Sequence, residues 1–494
     1  MKKLLFISVV LFFIIAQGCT KLDEVMYDKI PGSMYPENDA QIANLSVDAY
    51  KRMQDLADDA GWWYLAQELS SDELCGPTRG TDWYDGGKWT DMYQHTWTNE
   101  NEGVNRMWST FWAGITSCNQ IIDMLKGLPQ NESIKAKIAE VAVMRSFYYY
   151  LLMDNYGDAP YLTTANLPTG FLPTKIKRAA LYDSIVTTME SSLKYLKRID
   201  NKYMATRYMG FSLLAKLYIN AGVYNGTPQW AKAGQYCDSI IAGNYTLESD
   251  LKAPFKTNNE KSSEIIFSIP YDEDKFTGFR IHMRSLHYQS NLTYDMSAGP
   301  WNGFCAVPTF YDTYENSDLR KSAYFMTGPQ KTAAGAAIIE SITKEALNID
   351  PNIPALVMAS GFTPKQVRTT GARVIKYEIK SGAKENLSND FPLFRLTDFY
   401  LMKAETEIRQ GRNGDKWINP IRTRAGVSSW TGATLQQLLA ERGRELWVEG
   451  HRRQDMIRFG TFGNSSWERP ANAASRTTFP IPKWAVDANP NLGL

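Results

Sequence analysis

The chain has 494 residues, with 54 Lys+Arg against 53 Asp+Glu and a formal net charge of +1. Hydrophobic residues make up 44% and charged residues 22%, a globular composition that excludes an extensively disordered chain and a basic nucleic-acid binder. The aromatic share is 13%, with 14 Trp, 27 Tyr and 21 Phe; rings beyond what a core needs suit recognition, because they offer contact area at low entropy cost.

The first element is an export signal. Lys2 and Lys3 precede an apolar run from Leu4 to Ile15, followed by Ala16-Gln17-Gly18-Cys19, the layout of a secretory signal with small residues before the cut. The run falls short of the ~20 apolar residues that span a bilayer. A Cys at the cut resembles a bacterial lipoprotein signal, although Ala16 stands where such signals usually carry Leu. The expected organisation is a signal peptide over 1–18, Cys19 as the acylated lipid anchor, and a polar tether over 19–38. Removal of the signal takes two lysines, leaving 52 basic against 53 acidic residues, so near-neutrality survives maturation.

Helical periodicity dominates the chain up to about residue 245. Candidate helices run over Asp39–Ala57, Val104–Lys126, Ser133–Tyr156, Arg178–Leu196, Ala205–Asn220 and Gln229–Ala242. Met107, Phe111, Ile115, Cys118, Ile122 and Leu125 illustrate the three- and four-residue steps; Gly127, Pro129, Gly157 and Pro160 supply stops. The helix–turn–helix pairs are similar to tetratricopeptide repeats in architecture. From about 246 to 392 the pattern changes, with candidate strands at Glu264–Tyr271, Phe279–Tyr288 and Arg373–Ile379 among scattered Gly and Pro. Helices resume at Leu393–Arg409, Lys416–Arg424 and Leu435–Phe459. Thr478–Leu494 carries Pro480, Pro482 and Pro490 and is expected to be extended. Of the remaining cysteines, Cys118 and Cys237 lie in helical patterns as small core residues, and a Cys75–Cys305 bridge stays open.

Several ordered blocks run along the mature chain: Val141–Tyr150 (VAVMRSFYYY) with Asn155–Pro160 (NYGDAP), Phe391–Arg395 leading to Ala404-Glu405 and Ile421–Gly426, Glu441–Leu446 with Glu449–Arg453, and finally Phe479–Pro482 with Asn489–Leu492. Together these blocks resemble the SusD/RagB family of outer-membrane nutrient-binding lipoproteins of Bacteroidetes. The resemblance implies a mainly all-α fold: one SusD-like domain over 39–494, with a tetratricopeptide-like scaffold over 39–245 and 393–459. A large irregular, partly β insertion over about 246–392 and an extended tail over 478–494 complete it. It also implies a surface-facing outer-membrane lipoprotein that captures a nutrient, most often a glycan, and hands it to a SusC-like TonB-dependent barrel transporter. Binding rather than cleavage is the family's usual activity, with no cofactor and no metal.

The chemistry-bearing residues agree with that expectation. There is no H-E-x-x-H, no G-x-S-x-G and no phosphate-binding glycine loop, and His95, His282, His287 and His451 make no zinc spacing. Two carboxylates suffice for a glycosidase, so Asp72-Glu73, Asp82, Asp85 and the Glu441/Glu445/Glu449 set are candidates on paper. The last set alternates with arginines and reads as an ion-pair network on a solvated or interhelical face. Seven of the 14 Trp fall between positions 62 and 112. Trp62 and Trp63 are adjacent and cannot share one face, so one of them is expected to be exposed, while Trp108 and Trp112 are expected in the core.

The glycine-rich loop from Thr78 to Trp89 can project its rings. A sugar has apolar C–H faces and a hydroxyl rim, so it needs a ring beneath and polar groups at the edge. Trp83 and Tyr84 fit the platform, with Trp89 in the same loop; Arg79, Asp82 and Asp85 fit the edge. The family's binding surface also draws on the insertion, which adds Tyr294 and Trp301. Open alternatives are a peptide or another nutrient as cargo, a lipoprotein glycosidase, and a pure assembly protein.

Overall fold

The computed structural model describes residues 39–58, 60–472 and 474–493, so the signal peptide, the Cys19 anchor and the tether lie outside the described residues. The chain divides into two units, Met1–Leu45 and Ser46–Leu494. The first contributes a short helix, Asp39–Asn44; all that follows concerns the second. The helix expected over Asp39–Ala57 is broken, with Val47–Lys51 helical and Gln54–Ala57 a 3₁₀ turn. Asn44, Ser46 and Asp48 offer the backbone side-chain alternatives to helical pairing.

The helices of seven or more residues are α1 (Trp63–Leu69), α2 (Lys88–Gln94), α3 (Glu102–Lys126), α4 (Glu132–Tyr156), α5 (Arg178–Ser192), α6 (Arg207–Ile219), α7 (Trp230–Ile241), α8 (Leu396–Arg409), α9 (Asp415–Arg424), α10 (Leu435–Leu446) and α11 (Arg452–Arg458). Side-chain caps start several of them: Asn101 accepts from the Gly103 N–H at α3, Asn131 from Ile134 at α4 and Thr206 from Met209 at α6, and Thr434 forms a capping box with Gln437 at α10. Every residue from Ala139 to Tyr156 is buried, so α4 is enclosed on all sides over that stretch. α3 and α5 pack on α4, α6 packs on α7, and α8 packs on α7, α9 and α10. Gly114 of α3 permits the closest approach: a Cβ there would lie 2.6 Å from the ring of Tyr148 on α4. Cys118 and Cys237 are buried as expected. Among the described residues no helix is long and apolar enough to cross a membrane.

The insertion is stitched by short strands. These are β1 (Leu74–Cys75), β2 (Thr78–Arg79), β3 (Ile265–Ile269), β4 (Cys305–Ala306), β5 (Phe325–Met326), β6 (Gly328–Pro329), β7 (Asn348–Ile349), β8 (Val357–Met358), β9 (Arg373–Val374) and β10 (Phe391–Arg395). β3 pairs antiparallel with β10, with Phe391 opposite Ile269. β1 pairs antiparallel with β4, and β2 runs parallel to β8, so the chain entering the aromatic loop is tied to the insertion on both sides.

Four local expectations change. Phe279–Tyr288 is not a strand; it contains a helix, Ile281–Ser285, which buries Ile281 and Met283 while Arg280 and Arg284 reach Asp58. The helix expected over Leu435–Phe459 is two helices, because Val448 (φ 55°) and Gly450 (φ 79°) turn the chain left-handed between α10 and α11; the Trp63 ring lies where a Cβ on Gly450 would collide, at 2.8 Å. The tail expected to be extended carries a helix, Lys483–Ala488, and a 3₁₀ turn, Pro490–Leu492. Pro482 and Pro490 sit just before and at the start of these turns, where a missing N–H costs nothing. Lastly, Trp62 and Trp63 are both buried, at 0% and 6% exposure. Trp62 has a left-handed φ of 63° ahead of α1, so the two rings are not held to one helical or strand face.

The acidic–arginine pattern is buried rather than solvated. Glu264, Asp318, Glu441, Glu445 and Glu449 pair with Arg320, Lys376, Arg395, Arg422 and Arg424 at 2.5–3.2 Å. Five carboxylates thus meet five cations, with Arg444 joining Glu441 at 2.8 Å from the edge. The members come from the insertion, β10, α9, α10 and the turn that follows α10, so this network fastens the insertion to the C-terminal helices. Against the upward push of burial, Arg424, Arg395 and Arg320 hold the Glu445 carboxyl down to about 2, and Arg320 and Arg444 hold Glu441 below its usual range. Both are ionised and fully engaged, which leaves no proton for general-acid work.

Candidate functional site

The aromatic loop lies between β2 and α2. Gly80, Gly86 and Gly87 have φ of 67°, 69° and 86°, and Trp83 and Asp85 also enter the left-handed region at 63° and 41°. Two non-glycine residues in that region store local strain, and the surroundings over-determine it. The Trp83 indole N–H donates to the Trp301 carbonyl at 2.7 Å. Its ring covers Gly303 so closely that a Cβ there would lie 2.2 Å from it.

Behind Trp83 a ladder of rings runs into the core. Trp83 lies 5.1 Å from Phe304 and 5.7 Å from Trp89, and Trp89 stacks on Trp62 at 4.8 Å and 11°. The Arg284 guanidinium sits 5.5–5.9 Å from the Trp301, Trp89 and Phe304 rings, and Arg280 sits 5.7 Å from Trp301, distances suited to cation–π attraction. Trp83 and Trp301 remain half-buried, and Tyr84 is 63% exposed with no ring contact among the described residues.

Two of the residues expected at the ligand are instead structural. Arg79 is 2% exposed; it donates to the carbonyls of Gly303, Val367 and Thr370 at 3.3, 2.9 and 3.0 Å, so its fork is spent on clamping the insertion. Trp89 is also 2% exposed. It turns inward from α2 onto Trp62, and its indole N–H donates to Asp85 at 2.7 Å. Asp85 therefore holds Trp89 while remaining exposed. Asp82 is exposed and accepts a hydrogen bond from the Tyr288 hydroxyl. Tyr294 is half-buried against Met283, Leu286 and Met296, the small core that also supports Trp301, and burial pushes its phenol up to about 12. Trp108 is buried as expected, whereas Trp112 is half-buried.

The structure adds Tyr288, Phe362 and Arg368. They border an open cleft of about 310 Å³ with Asp82, Thr81 and Gly80. The Arg368 guanidinium lies 4.6 Å over the Tyr288 ring and its Nε donates to Glu340 at 2.7 Å. Tyr288 is 206 residues from Asp82 in the chain, and no periodicity or spacing signals that pairing. A larger groove, about 480 Å³, lies along α3, α4 and α5 and is lined by Lys126, Lys135, Arg145 and Lys194 with Tyr195 as its one ring. It offers one ring, whereas Tyr288 and Phe362 line the other cleft beside Trp83 and Tyr84, so the chemistry of sugar recognition favours the Trp83–Tyr288 face. Among the described residues no cluster of His, Cys, Asp and Glu could hold a metal.

A family model described as the SusD family matches residues 359–493, and a second, described as starch-binding associating with outer membrane, matches residues 28–219. Starch-binding protein SusD of Bacteroides thetaiotaomicron is 25% identical over 449 residues, covering 80% of this chain and 79% of the relative. SusD-like protein P25 of Formosa agariphila is 25% identical over 386 residues, covering 72% and 70%. Among solved structures, surface glycan-binding protein A from Bacteroides thetaiotaomicron in complex with laminarihexaose superposes with a TM-score of 0.74 at 22% identity, covering 92% of this chain and 98% of that one.

Proposed function

The chain belongs to the SusD family, and we propose that it is a cell-surface lipoprotein that binds an oligosaccharide and delivers it to a TonB-dependent barrel transporter. The observation that carries this reading is the Trp83 platform. Its indole is pinned to the Trp301 carbonyl, the exposed Tyr84 follows it in the chain, and Asp82 and Tyr288 form a polar rim at the adjoining cleft. A pinned ring loses little entropy on stacking against a sugar face, and the carboxylate and phenol can bond its hydroxyls. No bond is made or broken: the paired acids of α10 are locked in ion pairs, and recognition is by shape and stacking. Anchoring rests on acylated Cys19, and delivery on the transporter closing over the ligand. The names of the similar proteins mention starch and laminarihexaose, so glucose polymers are the first ligands to test.

A glycan array followed by calorimetry on the purified protein tests the reading. Trp83→Ala is expected to weaken the best ligand at least about tenfold, as loss of one stacked ring implies, with an unchanged circular dichroism spectrum. Unchanged affinity in that variant removes the loop from the site. Gly303→Ala is expected to weaken binding comparably although it deletes nothing that touches sugar. Its methyl would occupy the place of the Trp83 ring, 2.2 Å away, and must displace it. Retained affinity in Gly303→Ala would show that the seated position of Trp83 is immaterial.

A further inference from the structure

Cys75 and Cys305 stand directly opposite one another in the antiparallel β1–β4 pair, and their Sγ atoms are 3.8 Å apart. Both are free thiols and both are fully buried. Opposed residues of an antiparallel pair have Cα atoms ~4.5–5.5 Å apart, inside the ~4.4–6.8 Å that a disulfide spans. Closing the bond brings the sulfurs from 3.8 Å to the ~2.05 Å of a disulfide. Gly371 (φ 90°) makes room for the pair, since a Cβ there would lie 2.5 Å from Cys305 Sγ. The Arg79 guanidinium donates to Cys305 Sγ at 3.6 Å. The other two described cysteines, Cys118 and Cys237, belong to α3 and α7.

We propose that Cys75 and Cys305 are a redox-active pair whose disulfide fastens the strand entering the aromatic loop to the insertion. The export signal of residues 1–18 sends the chain to compartments where disulfides persist. Chemistry around the pair assigns the roles. The hydrogen bond from Cys75, with the Arg79 and Arg373 guanidiniums, holds the Cys305 thiol below its ordinary value, while burial pushes Cys75 up. Cys305 is therefore the attacking thiolate. With a small-molecule disulfide such as oxidised glutathione as oxidant, Cys305 attacks one sulfur and expels a glutathione thiolate. Cys75 then gives up its proton, and its sulfur displaces the second glutathione from Cys305. Two protein thiols and one glutathione disulfide become one protein disulfide and two reduced glutathiones. Because the reduced state is favoured by the guanidiniums around Cys305, the bridge is reversible. Burial confines the exchange to folding or to local opening of β1 from β4.

The test equilibrates the purified full chain, both native and during refolding from urea, across a series of oxidised-to-reduced glutathione ratios. Samples are quenched in acid, denatured in guanidinium chloride at mildly alkaline pH with excess iodoacetamide, so that every free thiol is alkylated as its thiolate, and digested without reduction. The expected result is one cross-linked peptide pair joining Cys75 to Cys305, lighter than the two free peptides by two hydrogens, with Cys118 and Cys237 alkylated. The cross-link is expected to disappear as reduced glutathione is raised. Alkylation of both Cys75 and Cys305 at every ratio, refolded samples included, overturns the proposal. The urea midpoint is read on the same samples. It is expected to rise on oxidation, because the bridge closes a loop across 230 positions of sequence in the unfolded chain. A bridge that forms without raising the midpoint overturns the fastening role.

Discussion

Glu445→Ala is expected to lower the unfolding free energy by about 3–5 kcal/mol, the usual cost of removing one partner from a buried ion network. Glu445 faces Arg320, Arg395 and Arg424 at 3.1, 3.2 and 2.6 Å, and all four side chains are 7% exposed or less. Deleting it leaves three guanidiniums in a low-dielectric interior with four carboxylates instead of five for the five cations. The desolvation penalty of the cations stays while part of the compensating attraction goes. An exposed control gives the contrast. Lys483 and Asp487 make a 2.6 Å pair on the tail helix at 53% and 61% side-chain exposure, so Lys483→Ala is expected to change stability by less than about 1 kcal/mol. Urea denaturation of both variants checks the pair of expectations. Similar losses in the two would mean that the buried network contributes no more than a surface pair.

The second large effect is a pH dependence centred on Glu68. This residue of α1 is fully buried and accepts a hydrogen bond from the Gly450 N–H at 2.6 Å, while Glu73 accepts from the Val448 N–H at 3.3 Å. Through these two bonds the carboxyls hold the left-handed turn between α10 and α11. Burial raises the Glu68 carboxyl from 4.5 to about 7, with Glu449 adding to the push, and it raises Glu73 as well. A raised carboxyl keeps its proton in the fold after the unfolded chain has lost it. Its contribution is therefore complete below pH 4.5 and is lost as pH rises through about 7. A shift of that size corresponds to about 3 kcal/mol. The four histidines act in the opposite sense. Burial, with nearby cations at His95, His287 and His451, lowers His95 and His287 to about 3 and His282 and His451 to about 4. Their contribution is present above pH 6.5 and is lost as pH falls. Glu68→Gln keeps an acceptor for Gly450 but cannot ionise, and it shares the histidines with the wild type. The stability of the wild type relative to Glu68→Gln is expected to fall by about 3 kcal/mol between pH 4.5 and 7.5. Parallel stability curves would falsify the account of a carboxyl held protonated by burial.

Most helices were legible in the residues themselves. Periodicity and the stops at Gly127, Pro129 and Gly157 placed α3 and α4 within one or two residues, because helix formation is local and its caps are short-range. The loop from Thr78 to Trp89 was legible as an aromatic loop for the same reason, since its glycines need no partner to turn the chain. The fate of each ring within it was not. Trp89 turns inward onto Trp62, Trp83 is held by Trp301 from across the insertion, and Arg79 clamps carbonyls up to 291 residues away. The break at Val448–Gly450 was hidden as well, because its left-handed backbone is maintained by Glu68, Glu73 and the Trp63 ring, more than 370 positions earlier.

The sequence by itself determined a mainly helical, near-neutral, aromatic-rich chain, because composition and periodicity act over a few residues. Only the tertiary structure decided which aromatics are platform and which are core, that the acidic–arginine pattern is a buried fastening, and that Cys75 faces Cys305. Each of those outcomes depends on groups brought together across hundreds of positions, where burial and pairing, rather than local propensity, decide whether a ring, a charge or a thiol is free to act.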